Sequence, residues 1–154
     1  MLTTQTLSLL VRKLVKPCGL FRKQRRGAAA VEFAVVAPVF FLLVFGMIEY
    51  GRMVMVQQII TNAAREGARI AVLDGSTTSS VQTAAINAMA SGNITITSDK
   101  VTVSPNPPSN ASFGDPVSVT VTVPFNQVSW LPSPMYLGGK SMTATTTMRR
   151  ETVQ

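Results

Sequence analysis

The chain has 154 residues, a formal charge of +7 at pH 7, one cysteine and no histidine. This length gives room for one small domain and an anchor. Without histidine, and with Cys18 as its sole cysteine, the chain lacks the usual general base, thiol pairs for disulfides and the soft ligands of a metal site. No glycine-rich phosphate loop is present, and no serine has a recognisable base partner. The sequence therefore predicts no enzyme, no cofactor and no bound metal.

The positive charge is concentrated at the N-terminus. Seven lysine and arginine residues and no acid precede Gly27, whereas the chain after Gly27 carries seven basic and seven acidic residues and is formally neutral. A nucleic-acid partner would require positive charge on the folded domain, so none is expected. Because a dense basic segment before a membrane span stays in the cytoplasm, residues 1–27 are predicted to be a cytoplasmic leader.

The first part of this leader permits two interpretations. The apolar and basic residues between Leu7 and Lys16 could form a short amphipathic helix on the membrane surface, or a disordered tail. Pro17, Cys18 and Gly19 would end any such helix. The thiol of Cys18 is interpreted as inert, because its neighbours lack the small residues and the preceding apolar run of a lipoprotein signal.

An apolar segment begins directly after Gly27. The 21 residues Ala28–Ile48 contain a single charged side chain, that of Glu32. A hydrocarbon core of ~30 Å needs about 20 residues of helix, so a transmembrane helix is predicted over residues 28–50. A charge is costly there and indicates a function, although the same carboxylate could simply favour the positive end of the helix dipole. Pro38 predicts a kink, either functional or passive.

The helix is predicted to continue outside the membrane over residues 51–74. Apolar and small residues recur in steps of four and three at Val56, Ile60, Ala63, Gly67 and Ile70, and Gln58, Asn62, Arg65 and Arg69 form a polar stripe. The predicted end is at Leu73, with Gly75 as the C-terminal cap. The small surface around Ala63 and Gly67 could pack against the protein's own sheet or against a neighbouring subunit.

Residues 75–154 are predicted to form a small α+β domain. A second helix is expected from a cap at Ser79 or Ser80 to Ala90. The alternation of valine with serine and threonine over Val117–Val123 predicts a strand. Residues 101–103 and 142–148 predict two more strands, with a bulge or turn near residues 98–99. The predicted class is therefore α+β, with a long N-terminal helix, a short second helix and a small antiparallel sheet.

Two exposed loops, residues 104–114 and 127–139, are rich in proline, glycine and small polar residues. The second contains Trp130 and Tyr136. These two aromatic residues are predicted to form a small cluster over the sheet, although a contact with lipid headgroups or with a partner would also fit their chemistry.

The segment GAAAVEFAVVAPVFFLLVFGMIEYGR, from Gly27 to Arg52, resembles the N-terminus of TadE-like pseudopilins, minor components of the tight-adherence (Tad) branch of type IV pili. The resemblance continues in residues 63–69 and fades in the C-terminal half. It implies a prepilin cleavage site between Gly27 and Ala28. Glu32 would then be the fifth residue of the mature chain and would pair with the N-terminal amine of an adjacent subunit. Phe33 stands where many Tad pilins have tyrosine.

The resemblance implies a minor pilin that acts in pilus assembly or initiation for surface adherence. The expected partners are the inner membrane, a prepilin peptidase, other Tad pilins and assembly-platform proteins. The expected location is the bacterial inner membrane, with the C-terminal domain periplasmic or extracellular. Two alternatives stay open: an uncut single-span membrane protein with an outward interaction domain, and a pseudopilin of a type II secretion system.

Overall fold

The computed structural model describes residues 21–131 and 136–151, with side chains from residue 27 onward. The helices are α1 Phe21–Ala71, α2 Thr78–Ser91 and α3 Phe125–Val128, and the strands are β1 Val101–Ser104, β2 Pro116–Pro124 and β3 Ser141–Arg149. The predicted α+β class is confirmed, with a long first helix, a short second helix and a three-stranded antiparallel sheet. The predictions for residues 1–20, including Cys18, lie outside the described part.

The chain divides into two compact units, one up to Leu43 and the other from Val44 onward. In the first unit, the apolar side chains of α1 are exposed, and the rings of Phe40 and Phe41 meet edge to face with centroids 5.8 Å apart. Within the described residues, α1 is the one helix long and apolar enough to cross a membrane. The second unit contains the hydrophobic core.

Both ends of α1 differ from the prediction. The helix begins at Phe21 rather than Ala28, because the arginine, lysine and glutamine before Gly27 are good helix formers. It ends at Ala71 rather than Leu73. The hydroxyl of Ser76 donates a 2.9 Å hydrogen bond to the carbonyl oxygen of Ala71 and so satisfies the helix end.

The predicted apolar stripe of α1 lies in the core of the second unit. Val56, Ile60 and Ala63 are fully buried, while the predicted polar stripe is exposed. A Cβ atom at Gly67 would lie 3.1 Å from Cγ1 of Val119 in β2 and 3.5 Å from Cβ of Ala85 in α2. The small surface of α1 therefore lies against the chain's own sheet and second helix.

Helix α2 begins with a different cap from the one predicted. Thr77 is the N-cap: its hydroxyl accepts a hydrogen bond from the amide of Ser80, and the Ser80 hydroxyl accepts one from the amide of Thr77. The predicted cap at Ser79 or Ser80 is wrong because Ser80 fills the reciprocal position three residues into this capping box. The helix ends at Ser91, close to the predicted end.

The sheet has the order β1-β2-β3, with β2 in the centre and both pairings antiparallel. The four alternating valines of β2 are fully buried, as the period of two predicted. On the other face, hydroxyl pairs cross from β2 to β3 at 2.7, 2.8 and 3.3 Å: Ser118–Thr147, Thr120–Thr145 and Thr122–Thr143. The turn predicted near residues 98–99 is a single 3₁₀ turn, Ser98–Lys100.

Arg150, directly after β3, joins three parts of the second unit. Its Nη1 donates hydrogen bonds of 3.0 Å to the carbonyl oxygens of Pro108 and Ala111, and its Nη2 lies 3.6 Å from Oδ1 of Asp74. Its carbonyl oxygen accepts a 3.0 Å hydrogen bond from the amide of Gly114. The loop of residues 104–114 is thereby held near the C-terminal end of α1.

Candidate functional site at Glu49 and Arg52

Glu49 is a buried carboxylate at the point where the apolar segment of α1 ends. Its side chain is 1% exposed. The amide of Leu137 donates to Oε1 over 2.6 Å, and the amide of Tyr136 lies 3.2 Å from both carboxylate oxygens. A buried carboxylate is costly unless hydrogen-bonded, and charge-assisted bonds from backbone amides are among the stronger ones. Glu49 therefore fixes the segment before β3 to the helix.

On the helix surface beside this carboxylate, Gly46 leaves room for the ring of Tyr136. A Cβ atom at Gly46 would lie 3.3 Å from Cε2 of the Tyr136 ring. Any larger residue at this position would crowd the ring. The two residues, together with Glu49, Tyr50 and Leu137, line an open concavity of about 240 Å³.

Arg52, one turn after Glu49, holds the other end of the same loop. Its Nε donates a 2.8 Å hydrogen bond to the carbonyl oxygen of Val128, the last residue of α3. Its guanidinium carbon lies 4.8 Å from the centroid of the Trp130 ring, which is a cation–π contact. A planar guanidinium can donate a hydrogen bond from its edge while its face lies over a ring, whereas an ammonium has no planar face.

Glu49 and Arg52 together form a clasp between α1 and the segment 128–137. The acid takes donors from one end of the segment, and the base binds a carbonyl oxygen at the other end. This arrangement positions the two described ends of a loop, at Val128 and at residues 136–137. Within residues 21–131 and 136–151, no group of three or more acidic or cysteine side chains is placed to hold a metal ion.

The structure places the residues of the predicted cleavage and assembly site on exposed turns of α1. Gly27, Ala28, Glu32 and Phe33 are all exposed, and a Cβ atom at Gly27 would meet nothing within 4 Å. Pro38 lies inside the continuous helix. Their roles in cleavage, pairing and bending stay predictions.

The sequence predicts that Trp130 and Tyr136 form a cluster over the sheet, but the structure places both against α1. Trp130 contacts the guanidinium of Arg52, and Tyr136 lies against Gly46, so both contact α1. Both rings are also largely exposed, at 65% and 56%. The reason is that α1 presents the guanidinium of Arg52 to Trp130 and the open surface of Gly46 to Tyr136, so both rings contact the helix.

The sequence interpretation assigned no role to Glu49 and Arg52, although a signal for them existed. Extending the buried stripe of α1 backward from Ile60 through Val56 in steps of four and three gives these two positions. A charged residue on the buried face of a helix needs a partner in the fold. The pattern could therefore have identified both residues as buried contacts, but not the loop that they bind.

Comparison with known families agrees with the sequence interpretation for the helix. Residues 27–69 match the sequence model of the TadE-like protein family. The chain matches no curated protein and no solved structure. The matched segment contains Glu32 and both residues of the clasp. The sequence of residues 27–69, which includes most of the long helix, is therefore similar to that of TadE-like proteins.

Proposed function

We propose that this chain is a minor pilin of a Tad-type pilus, cut by a prepilin peptidase between Gly27 and Ala28. The observation that carries the proposal is the family match, which begins at Gly27 and includes Glu32 as the fifth residue after the cut. The apolar helix that follows supports anchoring in a membrane. The role is structural, acting in assembly or initiation of the pilus.

Removal of the leader has a physical reason. The seven positive charges before Gly27 are attracted to anionic headgroups, each by about 1 kcal/mol near the surface. They would hold the uncut chain at the cytoplasmic face of the inner membrane. Cutting after Gly27 removes all seven and leaves a neutral chain of 127 residues, which could be drawn outward. This chain is longer than the small major pilins of Tad systems, which favours a tip or initiation role over the repeating shaft.

Glu32 would contribute to assembly by attracting a neighbour. A charged side chain within a membrane helix is costly, by roughly 2.5–3.5 kcal/mol at the helix centre, and Glu32 is about one turn from the cytoplasmic end, where the cost is smaller. Its side chain is exposed on α1, and no salt bridge to it forms within residues 27–131 and 136–151. The new N-terminal amine of an adjacent cut subunit would supply the missing positive charge. Two chains would then be held in register along their helices.

N-terminal sequencing of the protein extracted from its host membrane tests the cut. The wild-type chain should begin at Ala28, and Gly27→Ala expressed beside the matching peptidase should remain full-length. Since the Cβ position of Gly27 is open, the alanine variant should keep its fold. A wild-type chain that keeps its leader would refute the proposal and favour an uncut membrane protein.

Glu32→Ala tests assembly separately from cutting. This variant should still be cut but should give fewer pili, because the attraction to the neighbouring amine is lost. Glu66→Ala, which removes an exposed acid from the outer part of the same helix, is the matched control and should leave the number of pili unchanged. Equal pilus counts for Glu32→Ala and the wild type would remove the pairing role.

A further inference from the structure

Three aromatic side chains are exposed around the clasp. Tyr50 is 63% exposed, Trp130 65% and Tyr136 56%. The last two are far from Tyr50 in sequence, and the contacts of Glu49 and Arg52 bring them to the same turn of α1. Folding thus gathers tyrosine and tryptophan between Gly46 and Arg52, within about 9 Å along the helix axis, without burying them.

That level coincides with the end of the apolar segment. Its 21 residues from Ala28 to Ile48 extend ~31 Å at 1.5 Å per residue, close to the ~30 Å of a hydrocarbon core. Glu49 is the next residue. Arg52 follows about 4.5 Å further along the axis, and the headgroup layer on each side of a bilayer is roughly 5–8 Å thick. The ring of Trp130, held by Arg52, therefore falls within one headgroup layer. The ring of Tyr136 lies beside Gly46, about 3 Å inside the end of the apolar segment, so the two rings lie on either side of the boundary between hydrocarbon and headgroups.

The chemistry of these side chains fits the same layer. Tyrosine and tryptophan combine an apolar ring with a polar group and are enriched at membrane–water interfaces. We propose that Tyr50, Trp130 and Tyr136 form a lipid-binding surface that seats the base of the folded domain in the outer headgroup layer of the membrane crossed by α1. The clasp is the positioning device, because it sets the height of two of the three rings.

This surface differs from Phe113, an aromatic residue of the second unit that lies outside the apolar segment and is 75% exposed. Phe113 precedes Gly114, which bonds to Arg150 near Asp74, beyond the C-terminal end of α1. From Glu49 to Ala71 the helix rises ~33 Å. Phe113 therefore lies far outside the headgroup layer and serves as a matched control.

Trp130 is the sole tryptophan of the chain, so its own fluorescence tests the proposal. The full-length protein is placed in phosphatidylcholine nanodiscs, either plain or brominated near the top of the acyl chains. We expect the brominated lipid to quench Trp130, and iodide in the water to quench it less than it quenches free tryptophan. The double variant Trp130→Phe with Phe113→Trp should show the opposite: no loss in brominated discs and full quenching by iodide.

The result that overturns the proposal is equal Trp130 emission in plain and brominated discs, from protein that co-elutes with the discs. Equal quenching of Trp130 and of a tryptophan at position 113 would overturn it as well. The inference rests on the membrane span of the proposed function but not on cleavage or pilus formation. A chain that does not enter the discs would contradict the span and this surface together, and elution detects that outcome separately from the fluorescence.

Discussion

The amide of Leu137 donates a 2.6 Å hydrogen bond to the carboxylate of Glu49, across 88 positions in the sequence. Of the three acids in the segment that matches the family, Glu32 and Glu49 are in opposite environments. Glu32 is exposed on the apolar part of α1, whereas Glu49 is buried and bonded to the chain's own loop. A carboxylate already bonded to backbone amides is a poor candidate for pairing with another subunit. We therefore assign Glu49 to folding and reserve Glu32 for assembly.

Glu49→Gln should destabilise the second unit. The carboxamide keeps one acceptor oxygen but replaces the other with an NH2 group, which would face the amide of Tyr136. A buried donor without an acceptor costs about 1–3 kcal/mol. Denaturant unfolding in detergent measures the stability, and hydrogen exchange should become faster at these two amides. Glu66→Gln, an exposed acid on the same helix, should have a much smaller effect. Unchanged exchange at Tyr136 and Leu137 would contradict the clasp.

Arg52→Lys should loosen Trp130 while keeping the positive charge. Lysine lacks both the Nε donor to Val128 and the planar group that stacks on the indole ring. We expect a shift in Trp130 emission and greater quenching by acrylamide than in the wild type. Arg65→Lys, an exchange at an exposed position of the same helix, is the control. Identical spectra for Arg52→Lys and the wild type would show that the stacking contact is unimportant.

Gly67→Val and Gly51→Ala should change stability in opposite directions. A Cβ at Gly67 already lies 3.1 Å from Cγ1 of the fully buried Val119, so valine would overpack the core at a cost of about 1–3 kcal/mol. Gly51 is exposed and has open space around its Cβ position. Alanine there should stabilise the helix by up to about 1 kcal/mol. Thermal unfolding of both variants in detergent tests the pair, and equal melting temperatures would count against this packing.

The ion pair between Glu66 and Arg69 should contribute to the pH dependence of the folding stability. Arg69 donates hydrogen bonds of 2.6 and 3.1 Å to the carboxylate and lowers the pKa of Glu66 below its ordinary value. Because the pKa is lowered on folding, the stability from this pair is present above the unfolded pKa and is lost as the pH falls through the folded pKa. Both side chains are exposed, so the contribution is small. In an NMR titration, Arg69→Ala should raise the pKa of Glu66, and Arg65→Ala should not.

Local periodicity explains why the main helix and the central strand could be predicted from the sequence. The valines of β2 alternate, and the apolar residues of α1 recur in steps of three and four, so each element and its buried face could be assigned. The capping of α2 by Thr77 was less predictable, because the run from Ser76 to Ser80 contains three serines and two threonines, and each of these can cap a helix.

The clasp depends on distant partners and so was beyond local patterns. Backbone amides of a proline- and glycine-rich loop carry no periodic signal, and nothing local directs them toward Glu49. Trp130 and Tyr136 were assigned to the sheet for the same reason. Their positions are set by contacts with Arg52 and Gly46 on the helix. These partners are far away in the sequence, so local sequence patterns do not reveal them.

The hydroxyl pairs between β2 and β3 affect how several copies of this chain would interact with one another. The hydroxyls of Ser118, Thr120 and Thr122 on that face of β2 each pair with a threonine hydroxyl of β3, so the face is polar and offers little apolar area. Two such sheets gain little by stacking against each other. At high local concentration in a membrane, the chains would therefore have little tendency to aggregate through these sheet faces.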